Sequence, residues 1–226
     1  MSAKNPKISV IMPVKGYEEE VLRRSVNSIV SQSYENFELI IKHNGTQQES
    51  AEIKSLLYDD RVKIYTSPDE SVANACNQAM EMCSGDLICV FAHDDMYRPD
   101  AFQTLIDNLD GSKWYFGNIN YYRHNELKGS YYIPYPTMSD MQKNNMIPQP
   151  ACFWFREVYE AIGTYDESFK LCWDYDYWIR IMKKWPPKHI SFFFADYFLN
   201  NDSISLRFPK LMEIEKKRIK EKHFYV

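Results

Sequence analysis

The chain has 226 residues, 45 % of them hydrophobic, and a formal net charge of −4. Those values exclude a disordered chain, give no sign of a nucleic-acid binder, and suit one medium domain with a sizeable core. Aromatic residues reach 15 %, with 17 tyrosines, which fits aromatic walls against sugar or base rings and fits an aromatic-rich core equally well.

Ile8 to Pro13 is a short apolar run stopped by proline and reads as a buried strand. Val21, Leu22, Val26, Ile29 and Val30 then recur at helical spacing. Phe37 to Ile41 predicts a second strand ending at the turn His43-Asn44-Gly45-Thr46. Ile53, Leu56 and Leu57 mark a second helix, and Val62 to Thr66 a third strand. Val72, Ala75, Cys76, Ala79, Met80 and Cys83 form one apolar stripe closed by Gly85. Leu87 to Ala92, the most apolar strand, runs directly into His93-Asp94-Asp95. Pro99 opens a fourth helix with Phe102, Leu105 and Ile106 on its inner face.

Alternating strands and helices imply a largely parallel sheet with helices on both faces. Ligands in such sheets bind beyond the carboxyl ends of the strands. Asn44, Asp69 and Asp94-Asp95 all follow strands, so they are expected along one cleft. The second half is less regular. Trp114 to Asn120, Tyr131 to Ile133 and Ser191 to Leu199 read as strands, and Arg156 to Ile162, Trp173 to Trp185 and Pro209 to Lys222 as helices.

Cys76, Cys83, Cys89, Cys152 and Cys172 are odd in number and lack Cys-x-x-Cys spacing, which predicts free buried thiols in a reducing compartment. No apolar run reaches membrane-spanning length, so the expectation is a cytoplasmic protein that meets a membrane only from the surface. The turn after the first strand, Val14-Lys15-Gly16-Tyr17, is not a dinucleotide-binding Gly-x-Gly-x-x-Gly, and no phosphate-gripping glycine-rich loop occurs among only seven glycines. A bound diphosphate would then need a carboxylate-held cation, for which Asp94-Asp95 is the natural candidate. The alternative is a pair of acids that favours the positive end of the next helix.

These segments resemble family 2 glycosyltransferases. The likeness lies in Ile8 to Pro13, in Ser31-Gln32-Ser33-Tyr34-Glu35-Asn36-Phe37-Glu38, and in Asn44-Gly45-Thr46. It continues through Ser67-Pro68-Asp69 with Asn77, then Asp94-Asp95 to Pro99, Gln149 to Glu167, and Trp173-Asp174-Tyr175-Asp176. It covers roughly residues 7 to 205, in order. The resemblance implies an α/β fold of the GT-A type, a Rossmann-like sheet flanked by helices. It implies one domain over 1–226, with a nucleotide-sugar half at 7–110, an acceptor half at 111–205 and a helical tail at 206–226. The implied activity is inverting, metal-dependent transfer from a nucleotide-sugar, a UDP-sugar by expectation, to a hydroxyl of a glycan or polyprenyl-linked acceptor in surface polysaccharide biosynthesis.

By the same resemblance Asp94 matches the metal-binding aspartate, with Mn²⁺ or Mg²⁺ expected, and Asp95 is the second acid of that metal block. Asp174 matches the general base, whose alternative reading is a helix-start acid. Pro13, Val14, Asn44 and Asp69 match donor-side positions. Several residues depart from the family pattern: His43-Asn44 replaces an acid pair, Ala92 the first acid of the metal block, and Asn200 a histidine. They keep open a weak or inactive nucleotide- or carbohydrate-binding member of the same fold. A sugar nucleotidyltransferase ranks last, because Val14 to Glu20 is not a glycine-rich basic loop. Lys216-Lys217-Arg218 with Lys220 and Lys222 offers peripheral contact with anionic lipid, diluted by Glu213, Glu215 and Glu221 into what reads better as a solvated helix.

Overall fold

The structure is a computed structural model that describes residues 5–132, 135–199 and 204–225. Its first half follows the predicted alternation: β1 (Ile8–Val14), α1 (Glu19–Val30), β2 (Phe37–His43), α2 (Gln47–Leu56), β3 (Val62–Thr66), α3 (Val72–Met82) and β4 (Leu87–Val90). Then come β5 (Met96–Tyr97), α4 (Ala101–Asp107), β6 (Trp114–Arg123), β7 (Glu126–Tyr131) and α5 (Met138–Lys143). A single 3-10 turn at Gln149–Ala151 leads to β8 (Cys152–Phe155), α6 (Arg156–Ile162), α7 (Trp173–Met182), β9 (Lys188–Leu199), α8 (Ile204–Arg207) and α9 (Pro209–Phe224).

The strands form one sheet in the order β3-β2-β1-β4-β8-β6-β9-β5, with β7 on β6. The first four strands by position, β3 to β4, run parallel. β8 enters antiparallel between β4 and β6, β5 lies antiparallel on β9, and β6 and β9 are parallel. The sheet is therefore mixed in its second half. β5 and α5 escape the sequence pattern because two and six residues are too short to show a period. The predicted strand at Tyr131 to Ile133 is instead the end of β7, and Ile133 and Asn200 lie outside the described residues.

Alternate residues of each strand feed opposite faces, and each face has its own core. Val10, Met12 and Val14 pack with Leu22, Val26 and Ile29 of α1, Ile53 of α2 and Phe102 of α4. Ile11, Ile40 and Val90 pack on the other face with α3, α6, α7 and Ile219 of α9. Three indoles centre that second core. Trp114 stacks on Trp178 at 5.6 Å between ring centroids, and Trp154 meets Trp178 edge-on at 5.5 Å. Such pairs add about 0.5–1.5 kcal/mol each beyond the area they bury. The aromatic surplus thus goes largely into core.

Gly85 does not cap α3, which ends at Met82. A Cβ there would lie 2.6 Å from the Lys7 carbonyl oxygen and 2.7 Å from the Ser9 nitrogen. The glycine lets the α3–β4 loop press against β1. The predicted thiols Cys76, Cys83, Cys89, Cys152 and Cys172 are free and buried.

Candidate active site

Parallel register carries the expected donor residues to one edge. Pro13 pairs with Lys42 and Val14 with His43, and Lys42 and His43 pair in turn with Tyr65 and Thr66 of β3. The Val14 carbonyl accepts the Asn44 N–H at 2.8 Å, and Asn44 Nδ2 donates to the Asp69 carbonyl oxygen at 3.0 Å. Pro13, Val14, Asn44 and Asp69 are therefore brought to one end of the parallel strands.

The residue that sequence reading missed there is Lys42. Its side chain is fully buried, and its Nζ donates to the Ser67 carbonyl at 2.6 Å and to Asp69 Oδ2 at 3.2 Å. The Asp69 carboxylate is thus already paired with a cation. The signal was present as one lysine directly after the apolar run Leu39-Ile40-Ile41, still within the strand. His43 is buried with Nδ1 2.6 Å from Ser50 Oγ and with Tyr17 edge-on to its ring at 6.3 Å. Burial lowers its pKa, Glu49 opposes that and Lys42 adds to it, which favours the neutral ring.

β4 delivers the acids. The loop after it is held by α1: Ser25 Oγ donates to the Ala92 carbonyl at 3.2 Å and Arg24 Nη2 to the Asp94 carbonyl at 3.0 Å. The Arg24 guanidinium also lies 4.2 Å over the Phe198 ring. Asp94 is half-buried at this edge. Asp95 differs. Its carboxyl is buried, Oδ1 accepts the Phe198 N–H at 2.9 Å, and Oδ2 has no hydrogen-bond partner. Burial first, and then the Asp94 charge, push its pKa far up. The expectation that Asp95 joins Asp94 as a ligand meets this burial. A buried carboxyl whose ionised form is disfavoured suits support of the loop better than it suits metal ligation.

Asp174 sits in the first turn of α7. Burial raises its carboxyl to about 6, while the backbone N–H groups of Tyr175 and Asp174, the Asn145 amide and the Lys216 charge pull the other way. Asn145 Nδ2 donates to Asp174 Oδ2 at 2.9 Å, and Gln149 Nε2 donates to the Val90 carbonyl at 2.6 Å. Residues 145–149 thus tie the start of α7 to the end of β4. Asp176, two positions on, is fully buried and ion-paired with Arg180 and Lys222, so it belongs to the scaffold. The motif residues Asn77 and Glu167 also hold the fold, joined at 2.7 Å. An open depression of about 360 Å³ beside Asp69 includes Glu70 and Glu167 but neither Asp94 nor Asp174.

Among the described residues no three His, Cys, Asp or Glu side chains gather into a metal cage. Mg²⁺ and Mn²⁺ at diphosphates take one or two carboxylates and draw their other ligands from phosphate and water. Asp94 fits that sparse role, with His93 beside it as a neighbour whose pKa burial lowers.

Among proteins of known sequence, the chain is 30 % identical over 193 residues to the Escherichia coli O-antigen biosynthesis glycosyltransferase WbnJ, covering 79 % of this chain and 73 % of that one. It is 24 % identical to E. coli chondroitin synthase, over 98 % of this chain but 32 % of that protein. An uncharacterised glycosyltransferase of Rickettsia typhi is 22 % identical over 79 % of this chain, which spans 59 % of its length. Several of these relatives are thus much longer than the chain. S. aureus TarS residues 1–349 in complex with UDP-GlcNAc superposes with a TM-score of 0.70 at 14 % identity, over 96 % of this chain and 71 % of that one. This shows a GT-A fold. The profile of glycosyl transferase family 2 matches residues 9–163, more than half of the sequence, and the chain belongs to that family.

Proposed function

We propose that this domain transfers a sugar, with inversion, from a nucleoside diphosphate sugar to an acceptor hydroxyl. The observation that carries the reading is Asp174 held at about 6 in the first turn of α7 beside Asn145, with Asp94 half-buried after β4. A base with that pKa is about tenfold more ionised than protonated at pH 7, yet still basic enough to take a proton in the transition state.

Pro13, Val14 and Asn44 line the base and ribose side, and the Lys42–Asp69 pair fixes Asp69 there. An aspartate only accepts, whereas Asn44 both donates and accepts, so it can still pair with a pyrimidine edge. Asp94 is the carboxylate ligand for a divalent cation, and Asp95 holds the loop from behind. When bound, Mn²⁺ or Mg²⁺ supplies Lewis-acid stabilisation of the leaving diphosphate. Asn145 holds Asp174 through Oδ2, and the carboxylate takes the acceptor proton. The acceptor oxygen then bonds to the anomeric carbon as the bond to the diphosphate oxygen breaks on the opposite face. Holding both partners in line removes much of the entropic barrier.

The names of the O-antigen and chondroitin relatives support a polysaccharide or lipid-linked glycan as acceptor. No helix among the described residues is long and apolar enough to cross a membrane, which is consistent with an enzyme working at the cytoplasmic side of one. A second reading, a binding domain without turnover, is favoured by His43-Asn44 and Ala92 in place of acids. Thermal stabilisation by UDP- and GDP-sugars separates the two. The enzyme reading predicts that one donor raises Tm by several degrees only with Mn²⁺ and is then consumed. Stabilisation indifferent to metal, with every donor left intact, would favour the binding domain.

A further inference from the structure

The C-terminal helix reaches the start of α7 without entering the cleft. Cys172, the residue preceding α7, makes no side-chain cap bond. The acceptor comes instead from α9. Glu215 is 1 % exposed; its Oε1 accepts the Lys170 N–H at 2.7 Å, and its Oε2 accepts those of Leu171 and Cys172, each at 2.9 Å. Three successive amides closing on one carboxylate form an anion nest at the positive end of α7. Asp174 follows two residues later. On its other side Asp176 Oδ1 accepts Lys222 Nζ at 2.7 Å and His223 Nε2 at 2.8 Å, both from α9. One helix therefore grips the first turn of α7 before and after Asp174.

We propose that Glu215 is a positioning residue for the general base: by holding residues 170–172 it fixes the orientation and the dryness of Asp174, which makes the C-terminal helix part of the catalytic apparatus. This rests on the reading of Asp174 as the base. The other groups that act on Asp174 are Asn145 and Lys216, and it acts in turn on Cys152, Cys172 and Tyr165. Loosening the 170–172 loop admits water, which moves Asp174 down toward the ordinary carboxylate range. A displacement near 1 Å is enough to cost about 100-fold in rate.

The test uses the full chain labelled with ¹³C at the aspartate carboxyls, titrated by NMR, with the resonance missing from D174N giving the assignment. Turnover of UDP-sugars with Mn²⁺ is followed in parallel. E215Q is expected to lower the Asp174 pKa and to cut kcat by about 10- to 100-fold at unchanged donor KM. E215D keeps the charge but shortens the arm, so a lowered pKa and kcat there report position alone. A folded E215Q that titrates at the wild-type pH and turns over at the wild-type kcat, beside an inactive D174N, overturns the proposal and leaves the base reading standing. Full activity in D174N overturns the base reading, and the proposal with it. If E215Q fails to fold, E215D decides by the same two readouts.

Discussion

Replacing Asp174 by asparagine should make the protein more stable at alkaline pH while removing its activity. Moving a carboxyl from its ordinary value of 3.8 up to about 6 corresponds to about 3 kcal/mol of strain on the ionised form. Between those two values the folded chain holds its proton and the unfolded chain releases it. The wild type therefore loses stability as pH rises from about 4 to about 6, and stays at the lower level above that. Asparagine has nothing to ionise, and its side-chain oxygen still accepts the Asn145 bond. Urea unfolding at pH 4 and pH 8 should show the two proteins nearly equal at the lower pH. D174N should then gain about 1–3 kcal/mol at the higher one. A difference that is the same at both pH values, or a less stable D174N at pH 8, would refute the burial argument on which the base assignment leans.

Lys42→Met strands the buried Asp69 carboxylate and should cost about 3 kcal/mol in urea unfolding, partly recovered in K42M/D69N; a change under about 0.5 kcal/mol would mean the pair does not form. Asp176 responds to pH in the opposite sense. Burial opposes its ionisation, but His223, Lys222 and Arg180 outweigh that and hold it at about 2. D176N should therefore lose about 2 kcal/mol at pH 7, a deficit that narrows as pH falls from about 4 toward 2. Gly85→Ala drives a methyl into the backbone of β1 and should lower stability by about 1–3 kcal/mol with the nucleotide edge unchanged, checked by thermal unfolding beside UDP calorimetry.

The first half of the fold was legible because its strands are mainly apolar runs and its helices show one buried stripe, as in Leu87 to Val90 and in α3. The second half hid its connections. β8 has only four residues, and nothing local shows that it enters antiparallel between two strands distant in sequence. Asp94 and Asp174 were singled out through motif position alone, and the structure places the first after β4 and the second in the first turn of α7. Lys42, Asn145 and Glu215 were missed for a common reason. Each acts through a partner 27 to 45 residues away, and spacing along the chain carries no trace of such a contact. Asp94 and Asp95 look alike in sequence, whereas the chain direction after β4 leaves Asp94 half-buried and buries Asp95.

The central claim is that Asp94 and Asp174 divide the work of one transfer, donor holding and proton removal. Turnover of UDP-sugars with Mn²⁺, measured together with UDP calorimetry on wild type, D94N and D174N, tests it most directly. The account predicts turnover in the wild type alone, with metal-dependent UDP binding retained in D174N and lost in D94N. Full turnover by D174N, or metal-dependent UDP binding undiminished in D94N, would contradict it.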